Sequence, residues 1–164
     1  MVPDRFEITR VFAAPRARVW DAWTRPEQLT EWFGPKGSHS EVLHFDLRPG
    51  GHLHTCMEGP DGSVMWGKNS YEDVDPPARL VWVQGFSNAA GEIVPSPFPM
   101  PWPLHMRTTV DFADDGDGTR VTLTWQPVDA AEEEWASFRQ MLASMRGGWT
   151  GSFDQLDAFL GRGG

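Results

Sequence analysis

One cysteine, Cys56, and one tyrosine, Tyr71, stand among 164 residues. A lone cysteine forms no internal disulfide, so nothing here points to an oxidising compartment. Basic residues are scarce too: 14 Lys and Arg face 23 Asp and Glu, for a formal charge of −9. A phosphate backbone is held by clustered Lys and Arg, so nucleic acid is not an expected partner. Anionic membrane surfaces are disfavoured for the same reason. No apolar run reaches the length of a membrane span, and the stretch from Met1 to Phe6 lacks the apolar core of a signal peptide. The expectation is a cytoplasmic protein forming one domain over residues 1–164, long enough to bury a core without staples.

What the chain has in abundance is aromatic surface: nine Trp and ten Phe. Rings of that size either dominate a core or line a cavity. Their distribution follows a clear order of elements. Arg5 to Phe12 alternates as a strand, ended by Ala14-Pro15. Arg16 to Thr24 puts Val19, Trp20 and Trp23 on one helical face, with Pro15 suited to the helix start. A second short helix begins at Pro26, carries Leu29, Trp32 and Phe33, and is stopped by Gly34-Pro35.

The period then changes to two. Strands are expected at Val42 to Leu47, Gly51 to Met57, Met65 to Val74 and Leu80 to Phe86, with turn-forming Pro, Gly and Asp between them. A further hairpin runs from Leu104 to Ala113 and from Thr119 to Gln126. Such short connections favour antiparallel neighbours. From Trp135 through Phe138, Met141/Leu142, Met145, Trp149, Phe153 and Leu156 to Leu160, apolar residues recur every three or four positions as one continuous helical stripe. Gly147, Gly148 and Gly151 interrupt it and call for a kink, a close backbone approach, or a loop that splits the helix in two. Glu132-Glu133-Glu134 precedes the stripe, where acidic groups oppose the positive end of the helix dipole.

The motifs also resemble a known family. Ala14-Pro15-Arg16-Ala17-Arg18-Val19-Trp20, Pro26-Glu27-Gln28-Leu29 and Trp32-Phe33-Gly34-Pro35 resemble the opening signature of the Hsp90 ATPase activator-like (AHSA1-like) family of the START-like, or SRPBCC, superfamily. Asp46-Leu47-Arg48-Pro49-Gly50-Gly51, the stretch from Tyr71 to Val81, Gly118-Thr119-Arg120-Val121 and Gly148-Trp149 continue the match. The resemblance implies an α+β helix-grip (START-like) fold: a curved antiparallel sheet wrapped around a long C-terminal helix, with two short helices after the first strand. It also implies a cavity between sheet and helix, of the kind relatives use for lipids, sterols, polyketides or other apolar molecules. An Hsp90-type chaperone enters as a partner only through the family name.

Val94 to Leu104 carries proline at every second position, from Pro95 to Pro103, which excludes a central strand. Its expected form is a stiff extended flap holding Phe98, Met100 and Trp102 over the cavity rim and gating entry; the alternative is an inert loop. His52, His54 and Cys56 share one strand face. Three ligands spread along a straight strand over roughly 13 Å do not converge on one ion, and His44 helps only if it lies opposite His54, so no metal site is expected. The resemblance puts Leu53, Thr55 and Met57 toward the cavity and the histidines on the wetter convex face. No nucleophile elbow, zinc-protease motif, phosphate loop or dinucleotide fingerprint occurs, and no cofactor is expected. Glu58, Gln84, His105 and Arg107 are polar residues near strand ends that could act as a lone acid or base, although a solvated strand-edge position is the favoured reading for each.

The sequence therefore favours a binding module. Its pocket of roughly 300–1,000 Å³ would hold one small apolar or amphipathic molecule among Met57, Trp66, Trp82, Gln84, Met106, Thr108, Val110, Leu123, Trp125, Met145 and Trp149. Which face of each strand points inward stays open, since Leu80/Trp82 and Val81/Val83 are all apolar. Two alternatives remain: a cyclase- or hydrolase-like enzyme using the same cavity, and a chaperone-associated stress-response interaction protein. A homodimer also stays open.

Overall fold

A computed structural model of the chain describes residues 5–34 and 37–162. The residues before Arg5, together with Pro35 of the expected helix stop, lie outside the described residues. The elements are β1 (Phe6–Phe12), α1 (Arg16–Thr24), α2 (Pro26–Leu29), β2 (His39–Phe45), β3 (His52–Glu58), β4 (Val64–Asp75), β5 (Arg79–Ser87), β6 (His105–Asp115), β7 (Gly118–Val128), α3 (Glu132–Gln140) and α4 (Leu142–Arg162). This is the α+β order the sequence implies, with β2 starting three residues before the expected Val42.

All seven strands form one antiparallel sheet in the order β1-β7-β6-β5-β4-β3-β2. Consecutive strands are neighbours from β2 through β7, and β1 returns to pair with β7, Phe6 opposite Trp125 and Phe12 opposite Thr119. The acidic β6–β7 connection is tighter than its composition suggests. Pairing continues to Asp115 opposite Gly118, leaving Gly116 and Asp117 as a two-residue turn with Gly116 at φ +59°. A Cβ at Gly118 would run into the Phe12 carbonyl, so β7 starts where only glycine lets β1 pass.

Helix α4 crosses the sheet with Met145, Trp149, Phe153, Leu156 and Leu160 buried. Three side-chain tethers fix its path. Arg10 pairs with Asp154 at 2.7 Å, the Arg146 guanidinium donates to the Glu7 carbonyl at 2.8 Å, and Gln155 Nε2 donates to the Gly34 carbonyl at 2.6 Å. Gly34 sits at φ +106°, a left-handed conformation that turns its carbonyl to the helix and that side chains disfavour.

Two expectations about this region are corrected. The apolar stripe is continuous but the helix is not: it breaks at Met141, with φ −95° and ψ 2°, and α4 starts afresh at Leu142. Periodicity records which face is buried and passes through a break that keeps the face. The glycines do not split the helix, since α4 runs through Gly147, Gly148 and Gly151. A Cβ at any of them would meet nothing within 4 Å, so close approach to another part of the chain does not explain them either.

The core is densest under α1. Trp23 packs edge-on against Trp32 (4.7 Å), Phe112 (6.0 Å) and Phe153 (6.4 Å), and lies nearly parallel to Trp149 at 6.1 Å and 14°. Trp20 meets Phe112 at 5.3 Å and Phe12 meets Phe153 at 5.5 Å. Beneath them Val110, Val121 and Leu123 have no exposed surface. This end is solid.

Candidate functional site

The opposite end of the helix–sheet sandwich is hollow. A cavity of about 420 Å³ opens between the concave face of β3–β7 and the start of α4. Strand pairing decides which side chains reach it. Leu53 lies opposite Asn69, Asn69 opposite Gln84 and Gln84 opposite Met106, so these four share one face across four strands. Thr55, Gly67 and Phe86 form the next row, and Met57 and Met65 the outermost. Trp82 and Trp125 bound the floor toward the solid end, while Met141, Ser144, Met145 and Trp149 form the roof and Phe33 one wall. A smaller recess of about 210 Å³ adjoins this space, sharing Phe33, Met57, Trp125, Met145 and Trp149, and continues toward Gly34, Gly148 and Ser152.

The proline-alternating segment closes the open side, but not as a straight flap. Phe98 and Trp102 rings meet edge-on at 5.6 Å, whereas four residues of extended chain would separate them by roughly 13 Å. The segment bends instead, with the Phe98 N–H donating to Ser96 Oγ at 2.9 Å. Phe86, Phe98, Trp102 and Phe138 then form a chain of ring contacts from β5 to α3. Phe98 and Trp102 line the cavity; Met100 does not.

Among the expected lining residues, Met57, Trp82, Gln84, Met106, Trp125, Met145 and Trp149 reach the cavity. Val110 and Leu123 do not. They sit under Trp20, Trp23 and Phe153 in the solid end, fully buried, because alternation marks a strand's inner face along its whole length and does not say where the overlying helices leave space. Thr108 is also fully buried and acts one step back, donating its hydroxyl to Gln84 Oε1 at 2.5 Å. Trp66 borders the hollow along β4, but its ring is on the other face, stacked on His54 at 5.9 Å and 30°. The adjacent apolar pair Met65-Trp66 gave the sequence no way to choose between faces. Asn69, Ser144, Met141, Phe33 and Leu104 are lining residues outside the expected set. Asn69 alone carried a signal, as a polar residue at the cavity-facing parity of its strand.

Gln84 is the best-defined polar group in the hollow. Its Oε1 accepts from the Trp82 indole N–H at 2.6 Å as well as from Thr108. An indole nitrogen only donates, so the amide oxygen must face Trp82 and the orientation is fixed chemically. The amide nitrogen then has no protein partner among the described residues and is left toward the hollow. Nearby, the Trp125 indole N–H is buried without a partner, an arrangement that costs about 1–3 kcal/mol. No Asp, Glu, His, Lys or Arg is among the described lining residues.

The remaining titratable candidates lie elsewhere. Arg107 is on the convex face, bound through two nitrogens to Glu72 at 2.8 and 3.2 Å. That hydrogen bond, more than the charge, holds the Glu72 carboxyl below its usual range. Glu58 is exposed at the end of β3, and His105 is absent from the cavity lining. The hairpin register does place His44 opposite His54, yet no group of described His, Cys, Asp and Glu residues is arranged to hold a metal ion. His54 is not on a wet surface: it is 8% exposed, its Nε2 in contact with the Asn88 carbonyl at 3.1 Å, because the turn after β5 folds over it. Burial, then the nearby Lys68, lowers the His52 pKa, and burial raises that of Cys56.

The family model described as "Activator of Hsp90 ATPase homolog 1-like protein" matches residues 13–161. The chain belongs to this AHSA1 family. Solved structures agree over almost the full length. Protein Ms6760 from Mycobacterium smegmatis superposes with a TM-score of 0.78 at 28% identity, covering 98% of this chain and 93% of that one. A protein from Arthrobacter aurescens gives 0.80 at 26% identity, with 98% and 87% covered. The AHSA1 protein SPO3351 from Silicibacter pomeroyi gives 0.74 at 18% identity, with 96% and 97% covered, a likeness of fold alone. No curated protein matches the chain. The AHSA1 chain thus carries the helix-grip architecture its opening motif implied, and among its described residues no helix is long and apolar enough to cross a membrane.

Proposed function

We propose that this AHSA1-family domain binds a small apolar or amphipathic molecule in the hollow between sheet and α4. The observation that carries this reading is the lining itself: about 420 Å³ of concave space walled by aromatic and Met side chains, in the size range of small-molecule sites. Empty space of that kind forfeits the dispersion contacts that a filled core would make, and a guest restores them. The exposed apolar residues support the same reading. Of the six large apolar residues more than a third exposed among the described residues, Met65, Phe98 and Leu104 border the hollow while Val11, Leu43 and Val64 do not, so half of them stand at its mouth.

Binding is favoured over turnover by the absence of ionisable groups from the described lining. Gln84, Asn69, Thr55 and Ser144 can hydrogen-bond a guest, but none of them exchanges a proton near neutral pH.

The test uses native mass spectrometry of gently purified protein together with titration of an apolar naphthalene probe, read through cavity tryptophans. A second sample carries Gly67→Leu. Gly67 lines the hollow, and a Cβ there meets only Thr55 Oγ1 at 3.6 Å and the Gly85 carbonyl at 4.0 Å, so the new side chain projects into free space. Expected are an extra mass or a saturable probe response in the parent protein, and at least about a tenfold loss of affinity in the folded variant, the equivalent of about 1.4 kcal/mol. A clean mass and a flat titration in the parent protein would end the proposal.

A further inference from the structure

The polar groups of the hollow carry information about what it accepts. Gln84 Oε1 is saturated by two donors, the Trp82 indole and the Thr108 hydroxyl. An amide oxygen has two lone pairs, so toward a guest Gln84 has only its N–H₂ to offer. It is a donor, and a rigid one, because Trp82 and Thr108 lock the plane of the amide. Asn69, its cross-strand partner, contributes a second neutral amide. Around them stand Trp82, Phe86, Met106 and Trp149, with no cation among the described lining residues.

A carboxylate or phosphate entering this space would lose its hydration and meet no compensating charge, which is among the costliest of burials. An alcohol would bring a hydroxyl hydrogen that Gln84 cannot accept, and would need a second contact from Asn69, Thr55 or Ser144, whereas a carbonyl is satisfied by Gln84 alone. A carbonyl oxygen fits both conditions: it carries no charge, needs no acceptor, and takes one or two N–H donors. We propose that the hollow selects neutral carbonyl compounds with an aromatic or aliphatic body, a ketone, aldehyde or ester rather than the corresponding acid, by donation from Gln84 to the carbonyl oxygen. This rests on the reading of the hollow as a ligand site and specifies the chemistry of its guest. Thr108 is a positioning residue for Gln84 and touches no guest.

The experiment compares three probes with one ring system: 2-acetylnaphthalene, 2-ethylnaphthalene and 2-naphthoate. Each is titrated by calorimetry and by tryptophan fluorescence into the full chain at pH 8. One hydrogen bond of ordinary net strength predicts that the ketone binds about 2- to 10-fold tighter than the hydrocarbon. The carboxylate is expected to be at least about tenfold weaker than the ketone. In Gln84→Met the advantage of the ketone over the hydrocarbon falls to about one.

Gln84→Met also leaves the Trp82 and Thr108 donors unpaired, so Gln84→Glu serves as the second variant. It keeps an acceptor for both and replaces the N–H₂ by a carboxylate oxygen, which at pH 8 repels a carbonyl oxygen instead of donating to it, so it too is expected to lose the preference for the ketone. Equal binding of ketone and hydrocarbon in the parent protein overturns the proposal while leaving the site intact, as does tight binding of the carboxylate or a ketone preference that survives both variants. No binding by any of the three overturns the ligand-site reading and this proposal with it.

Discussion

The two ends of the same helix–sheet sandwich are built from the same kinds of residue and reach opposite states. At one end Trp20, Trp23, Phe112 and Phe153 interlock over Val110 and Leu123, and all six are buried. At the other, Trp82, Trp125, Trp149 and Phe86 stand around about 420 Å³ of space. Aromatic content does not separate them. What differs is the cover: α1 packs beside α4 onto β6 and β7 at the first end, whereas the second has only the beginning of α4 and a bent proline-rich loop above it. The polar groups do not separate the ends as cleanly. At the solid end Thr119 donates to the Ala14 carbonyl at 2.8 Å, while the Trp23 indole N–H is buried without a partner. At the hollow end the Trp125 indole N–H is likewise unpartnered and Gln84 keeps an amide nitrogen unspent.

The largest effect should come from breaking the solid end. Phe153 has no exposed surface and touches Phe12, Trp23 and Trp149. Phe153→Ala should destabilise the protein by about 3–5 kcal/mol, since its neighbours are held from several sides and cannot collapse into the void. Met106→Ala, a truncation in the floor of the hollow, should cost only about 2 kcal/mol, the low end for such a change, because Met106 already lacks packing partners on its cavity side. Urea denaturation of both variants checks the difference. Equal losses would mean that the hollow is packed as tightly as the rest.

Much of this division could not be read in the sequence, for a physical reason. Period-two and period-3.6 patterns report which face of an element is buried, and both ends satisfy them equally. The kinds and succession of the elements were legible for that reason, and Met57, Trp82, Gln84, Met106, Trp125, Met145 and Trp149 are expected in the lining. Alternation leaves the inward face of each strand open, however, and the pairing of β1 with β7 is not legible in it. Val110 and Leu123 follow the same alternation yet lie where α1 and α4 together cover the sheet, a coverage that no local pattern encodes. Trp66 was illegible in a different way: it follows Met65, so the strand offers two consecutive apolar side chains. The outward choice is stabilised by His54 and the Asn88 turn, contacts distant in sequence. Gln84 was visible as a polar residue in an apolar strand, but its donor character depends on Thr108, a neighbour on another strand.

A chemical probe of intermediate size sits where the two regions meet. Tyr71, 4% exposed, lies between Phe45 and Trp82 at 6.4 and 6.1 Å. Burial raises its phenol pKa well above the ordinary value. The protonated form is therefore favoured by the folded state. Stability is unaffected below about pH 10, where the unfolded phenol is also protonated, and declines above it by about 1.4 kcal/mol per pH unit as only the unfolded chain ionises. Melting temperature against pH in the parent protein and in Tyr71→Phe measures this. The variant's curve should be flatter above pH 10. As the chain has one tyrosine, phenolate absorbance should appear with unfolding and not before it. Ionisation in the native state would place water against Tyr71 and extend the hollow past Trp82.

The smallest expected effect concerns the roof. Gly147 and Gly148 are exposed inside α4, and a Cβ at either meets nothing within 4 Å. In an exposed helix interior Gly→Ala stabilises by up to about 1 kcal/mol, since alanine has less backbone freedom to lose on folding. The two positions are adjacent but not equivalent. Gly148 borders the recess that continues the hollow, and Gly147 does not. Gly147→Ala should raise the urea midpoint without changing probe affinity. Gly148→Ala should raise it by a similar amount and also narrow the recess, so that guests long enough to enter it bind more weakly while compact ones are unaffected. If both variants gain stability and leave every guest's affinity unchanged, these glycines are only sites of poor helix propensity. A loss confined to Gly148→Ala would show that an open roof is maintained at the expense of helix stability, the same trade that leaves the sheet beneath it uncovered.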